Sequence, residues 1–334
     1  MLAKGILDRR ITETPIAIVD FETTGLSPGA DRIVEACVIR MNPGHKPKVV
    51  FESLINPCRP MAATDIHGIT DADVTHAPAF TDVARIFVDA IADCLVAAYN
   101  VYFDMRFLEY EFTAAGIKQL PPYLCLMYMR PMLGLGRRCS LAEACMEHGI
   151  HPDQVHTARA DCDAAARLLQ YYMEIISFKG IETYEHLRDL RYYKFLDSFR
   201  RNPLSALGCA LGDWSRLAPR TSKEHHSIAP AERRDPTSRA MPTLDKEALR
   251  LYWDSLKTVL ADLHVTDDEA RYLRETIKEL NLPKEQVRIL HARAFVNVLS
   301  GFAADRWLDD KECQTLHKLH RCLSKAGWAP GDAP

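Results

Sequence analysis

Two carboxylates, Asp20 and Glu22, stand two residues apart at the end of the apolar run Ile16-Ala-Ile-Val19. In a strand, residues i and i+2 face the same side. Both carboxylates would then project together and repel each other unless a cation sits between them. Downstream, Asn100-Val-Tyr-Phe-Asp104 follows a short apolar run and opens a stretch of helical spacing. Further on, His156-Thr-Ala-Arg-Ala-Asp161 opens another helix, with Asp161 in its first turn. Four carboxylates and one histidine thus lie at the ends of elements, where a rigid scaffold can bring them together. Oxygen-only ligands suit hard divalent cations such as Mg²⁺ or Mn²⁺. Two such ions roughly 4 Å apart can activate a water and stabilise a leaving oxygen in phosphodiester hydrolysis. An imidazole, with a pKa near 6.5, can take the proton from that water.

The elements that must position these groups can be read from periodicity. Residues 15–21 read as a buried strand, 31–40 alternate, and 48–55 form a third run; turn chemistry at Asn42-Pro-Gly-His-Lys-Pro47 predicts an antiparallel meander. Helical spacing follows around 81–92, a short strand at 94–99, then helices from about Phe103, at 139–149 and at 159–177. Three strands followed by alternating helix and strand predict an α/β domain with a mixed sheet.

The three motifs resemble those of the DEDDh 3′–5′ exonucleases, the DnaQ-like family that includes proofreading subunits of bacterial DNA polymerase III. Asp20-Phe-Glu-Thr-Thr-Gly25 matches the first motif, Asn100 to Leu108 the second, and His156 to Asp161 the third. Ile66-His-Gly-Ile-Thr70 and Ser140-Leu-Ala-Glu-Ala-Cys145 are softer matches, and the resemblance covers about residues 14–177. It implies a ribonuclease-H-like fold and two Mg²⁺ or Mn²⁺ ions. Asp20, Glu22 and Asp161 would hold the first ion; Asp20 would share the second, with Asp104 helping through water. His156 would be the general base. Thr23, Thr24 and Leu26 would line the 3′-terminal nucleotide, and Asn100 and His67 would also bind substrate. Where the family often has His-Asn in the second motif this chain has Tyr99-Asn100, which bears on pocket shape rather than on metal ligation.

Length and charge bound the rest. The 334 residues suggest more than one domain, and the net charge of -3 advertises no global basic field. The charge is uneven, with 16 Lys+Arg against 22 Asp+Glu over 1–178, 12 against 8 over 179–243, and 14 against 15 over 244–334. We therefore expect a catalytic domain over 1–178, a basic helix (184–201) and linker over 179–243, a helical domain over 244–326 and a tail over 327–334. The basic stretch, with Tyr184, Tyr192, Tyr193, Lys194, Phe199, Arg200 and Arg201, could grip single-stranded nucleic acid or simply pack on the catalytic domain. Ten scattered cysteines without a Cys-x-x-Cys pair, no apolar leader and no membrane-length run suggest a cytoplasmic setting.

The helical domain repeats itself at an offset of 43: Ala261 to Glu269 aligns with Ala304 to Glu312, and Leu273 and Leu280 with Leu316 and Leu323. It resembles TerB-like helical domains, which implies no defined chemistry. Calcium loops are not expected, because the twelve-residue glycine-containing pattern is absent; Thr266 to Glu269 and Asp309 to Glu312 read as capping boxes. Cys145, His148, His151 and His156 match no standard zinc spacing. The sequence thus predicts an exonuclease acting on a free 3′ end, with single-stranded DNA favoured, in repair, proofreading or defence. RNA 3′-end trimming is the alternative. A third reading is an adaptor that recruits a protein partner through 244–326.

Overall fold

The computed structural model describes residues 5–150, 157–202, 204, 246–260, 265–302 and 308–332. A five-stranded sheet holds its centre: β1 (Ile16–Thr23), β2 (Ile33–Met41), β3 (Lys48–Leu54), β4 (Leu95–Ala98) and β5 (Tyr123–Cys125), in the order β3-β2-β1-β4-β5. β1, β2 and β3 form the expected antiparallel meander, while β4 and β5 add in parallel to β1. The sheet is mixed, as the sequence predicts. β4 is buried at every position, as a parallel strand covered on both faces must be.

The helices of this part are α1 (Thr64–His67), α2 (Asp71–Val74), α3 (Phe80–Ile91), α4 (Val101–Ala114), α5 (Leu126–Met132), α6 (Leu141–Glu147), α7 (Ala158–Phe178), α8 (Tyr184–Leu190) and α9 (Ser198–Arg201). Phe21 of β1 points to the side of α3, its ring 5.7 Å from Phe87, and Phe51, Phe80 and Phe112 complete that cluster. By alternation Asp20 and Glu22 take the other face. That face belongs to α7, whose Cys162 Sγ lies 3.6 Å from the Ile18 carbonyl and 3.4 Å from that of Cys37. A side chain this small lets the start of α7 sit close over β1, which is how Asp161 comes to the strand pair.

The single basic helix expected over 184–201 is replaced by α8, a 3-10 turn at Lys194–Asp197, and α9. The backbone is extended at Arg191 and Tyr193 (φ -165° and -134°). The reason is packing: Tyr184, Leu187, Phe195 and Phe199 are all buried in the main core, and the Tyr193 ring meets Tyr128 at 4.7 Å. No single helical face could seat all of them.

Residues 246–332 add α10 (Lys246–Leu260), α11 (Asp267–Glu279), α12 (Lys284–Phe302) and α13 (Asp310–Ala326). Both expected capping boxes form. Thr266 and Glu269 bond each other's backbone N–H at the start of α11, and Asp309 and Glu312 do the same for α13. Tyr252, Leu256, Leu273, Leu290 and Leu323 form their core, and the buried His291 is tied to the Tyr252 hydroxyl and the Trp328 carbonyl at 2.6 Å each. The aligned positions Ala261, Asp262, Ala304 and Asp305 lie outside the described residues. This core also takes in Ala63 and Ile66, from the loop and helix α1 of the first part.

Candidate active site

Three elements supply the carboxylates. β1 delivers Asp20 and Glu22, opposite Cys37 and Glu35 of β2, and its register shifts between Glu22 and Thr23. Such irregularities re-aim side chains next to active sites. α4 carries Asp104 in its first turn, almost wholly buried. α7 carries Asp161, and its start is doubly fixed: the Thr157 hydroxyl accepts the Ala160 N–H at 3.1 Å, and Glu35 accepts the Ala158 N–H at 3.0 Å. Carboxylates at a helix N-terminus satisfy donors that the helix leaves open.

Ligand oxygens of Asp20, Glu22 and Asp161 lie within 4.8 Å of one another, and Asp104 lines the same cavity. Burial raises the pKa of all four. Repulsion from Asp161, Asp104 and Glu22 lifts Asp20 further, and Glu22 is pushed up to about 8. Acids that repel in a partly enclosed site fit a divalent cation, which would displace the protons they otherwise retain. The oxygen-only donor set agrees with Mg²⁺ or Mn²⁺. His156 lies outside the described residues, although its neighbour Thr157 is the N-cap of α7.

The expected substrate residues fall in different places. Thr23 donates to the Gly25 carbonyl at 2.6 Å, and Thr24 donates to Asp31 at 3.0 Å while accepting the Arg32 N–H. Both hydroxyls therefore shape the turn after β1. Leu26 bridges the two apolar clusters. Asn100 sits at the cavity, its amide oxygen buried without a bonding partner. His67 is buried, and its ring is used by its own loop: Nδ1 accepts the Ile69 N–H at 3.0 Å and Nε2 donates to the Ala62 carbonyl at 3.1 Å. Any role for His67 at the substrate would run through the loop it fastens. Tyr99, at the departure from the family pattern, donates to the carbonyls of Cys139 and Ser140 at 2.9 and 3.0 Å and so ties β4 to α6. Asp163 turns away to Arg167, 2.7 Å distant.

Sequence reasoning missed three residues of this cavity, all from α10: Asp254, Lys257 and Thr258. Asp254 and Lys257 line it beside the carboxylates, 2.8 Å apart. Burial alone would lower the Lys257 pKa, but Asp254, Glu22 and Asp20 outweigh it and hold the ammonium above its ordinary value. On a one-dimensional reading these are ordinary polar positions of an amphipathic helix. Ser255 and Thr258 are polar too, and only the fold shows that both are buried.

A mixed five-stranded sheet with carboxylates clustered at the end of its central strand makes a site that could hold a divalent cation. Residues 17–169 match the family model RNase_T, described as an exonuclease family. Among curated proteins it is 30% identical over 187 residues to the PolC-type DNA polymerase III of Bacillus cereus, covering 54% of this chain and 13% of that one. It is 32% identical over 186 residues to a DNA polymerase III subunit epsilon-like protein of Rhodobacter capsulatus, covering 52% and 26%. The chain thus spans about a quarter or less of the length of these relatives. Among solved structures, E. coli exonuclease I in complex with a dT13 oligonucleotide aligns with a TM-score of 0.40 at 19% identity, over 48% of this chain and 40% of that one. No described helix is long and apolar enough to cross a membrane.

Proposed function

We propose that this chain is a metal-dependent 3′–5′ exonuclease that hydrolyses the terminal phosphodiester bond of DNA and releases nucleoside 5′-monophosphates. The observation that carries the reading is the convergence of Asp20, Glu22 and Asp161 within 4.8 Å, with Asp104 on the same cavity, in a domain that matches the exonuclease family model. Asp20, Glu22 and Asp161 would hold one divalent ion, and Asp20 with Asp104 a second. Bound there, two Mg²⁺ or Mn²⁺ ions would neutralise charge on the phosphate and favour attack by water. His156 would take the proton from that water. Asn100, with its unpartnered amide oxygen, and Leu26 flank the place where the 3′-terminal nucleotide would lie.

The polymerase names of the relatives favour DNA over RNA as substrate, in proofreading or repair. The test is cleavage of matched 3′-labelled DNA and RNA oligonucleotides with Mn²⁺. We expect mononucleotide release from DNA. Asp20→Ala should abolish it, and His156→Ala should reduce it by about 10²–10⁴-fold. Wild-type rates in Asp20→Ala would refute the mechanism, and faster release from RNA would reassign the substrate.

A further inference from the structure

Helix α10 reaches from the C-terminal helical unit into the carboxylate cavity. Lys257 and Asp254 share that cavity with Asp20, Glu22, Asp104 and Asp161. The Asn100 amide donates to the Lys257 carbonyl at 3.4 Å, and the Lys257 ammonium lies 5.3 Å from the centre of the Phe103 ring. What remains between them is a volume of about 70 Å³. Clefts that hold small-molecule ligands run to roughly 300–1,000 Å³, so this space is too small for a nucleotide. A second cavity, of about 270 Å³, is lined by Leu26 and Phe103 on one side and by Leu260, Val298 and Leu319 of the helical unit on the other.

Several contacts seat the helix there. Ile66 of α1 packs into the same apolar cluster as Tyr252, Trp253 and Leu256. Arg138 pairs with Glu269 of α11 while lying 4.8 Å over the Tyr128 ring, and Arg137 lies 4.4 Å over the Tyr272 ring. In sequence, residues 205–245 separate the two units, so these contacts, not a short connection, hold α10 in place. Lys257 presents a cation where the carboxylates call for one, but it brings its own helix backbone and its own carboxylate, Asp254. A lysine serving the reaction would need room beside it for a phosphate.

We propose that α10 is an intramolecular plug: the face of the exonuclease domain that takes a 3′ end is also the docking surface for the first helix of the chain's own C-terminal unit, with the Lys257 ammonium standing in for a metal ion. Access to the site then requires α10 to lift. The substrate half of this inference rests on the exonuclease reading; the metal half rests on the cavity alone.

The experiment compares the full chain with Lys257→Ala, Lys257→Met, Arg138→Glu and the charge swap Arg138→Glu/Glu269→Arg. Lys257→Met keeps an apolar stem over Phe103 and guards against misfolding, which circular dichroism would reveal. Mn²⁺ affinity is measured by calorimetry without nucleic acid, and affinity for a fluorescent single-stranded DNA by anisotropy. We expect both Lys257 variants to bind Mn²⁺ at least tenfold more tightly than wild type. Arg138→Glu should bind DNA at least fivefold more tightly, and the charge swap should return towards wild type. Equal Mn²⁺ and DNA affinities across folded variants would overturn the plug. So would loss of cleavage in the Lys257 variants at unchanged Mn²⁺ affinity, which would make Lys257 a residue of the reaction. Tighter Mn²⁺ binding in variants that cleave neither DNA nor RNA would support the plug and remove the exonuclease reading instead.

Discussion

At the scale of single residues, the site is governed by charge brought together in a confined space. Glu22 ordinarily titrates near 4.5 and is pushed up to about 8. A raised acid binds a proton in the folded state that the unfolded chain has released, so stability falls as pH rises between those two values. Without divalent ions, the melting temperature should therefore drop between pH 5 and pH 8, and Glu22→Gln should flatten the drop. Mn²⁺ should restore the lost stability at pH 8. Thermal scans across that range would show it, and a melting temperature that rises with pH would contradict it. Glu111 makes a different prediction. It accepts two bonds from Arg32, at 2.7 and 2.8 Å, and is 1% exposed. Glu111→Ala leaves a half-buried guanidinium without its carboxylate, and should cost about 3 kcal/mol in a denaturant titration. The carboxylates were legible in the sequence because each sits at a motif with its own spacing. Lys257 was not, because a lysine that faces a distant pocket has the same local signature as one that faces water.

At the scale of elements, hydrophobic period carried most of the reading. β1 to β4, α3, α4 and α7 lie close to where alternation and helical spacing put them. β5 and α5 escaped because the run from Tyr123 to Met132 is apolar almost throughout, and a continuous apolar stretch has no period to distinguish three strand residues from a helix. The basic helix over 184–201 failed for the opposite reason: aromatic residues spaced irregularly were pulled into one core by contacts far away in sequence. The capping boxes give a prediction at this scale. Thr266→Ala removes the side chain that accepts the Glu269 N–H at 3.2 Å, and should destabilise the helical unit by about 1 kcal/mol. Since Glu269 also pairs with Arg138, the loss should loosen α11 against the domain built on the sheet. Hydrogen exchange along 267–279 would report it, with faster exchange expected in the variant.

At the scale of the whole molecule, two apolar cores meet at one place. Leu26 packs against both, and Ala63 and Ile66 belong to the core of the helical unit although they precede α3 in the chain. Of these, Ile66 also lines the carboxylate cavity. A sequence is read in segments, here a half that carries the carboxylate motifs and a helical half with its repeat. What no segment contains is the arrangement of one half on the other. It depends on side chains such as Arg137 and Arg138, whose partners Tyr272 and Glu269 lie more than a hundred residues away.

The order of these parts along the chain has a consequence for the protein's birth. Asp161, the last of the four carboxylates, precedes Lys257 by 96 residues. At a synthesis rate of about 5–20 residues per second, that interval lasts about 5–20 s. A nascent chain can therefore complete its carboxylate set while α10 has yet to be made.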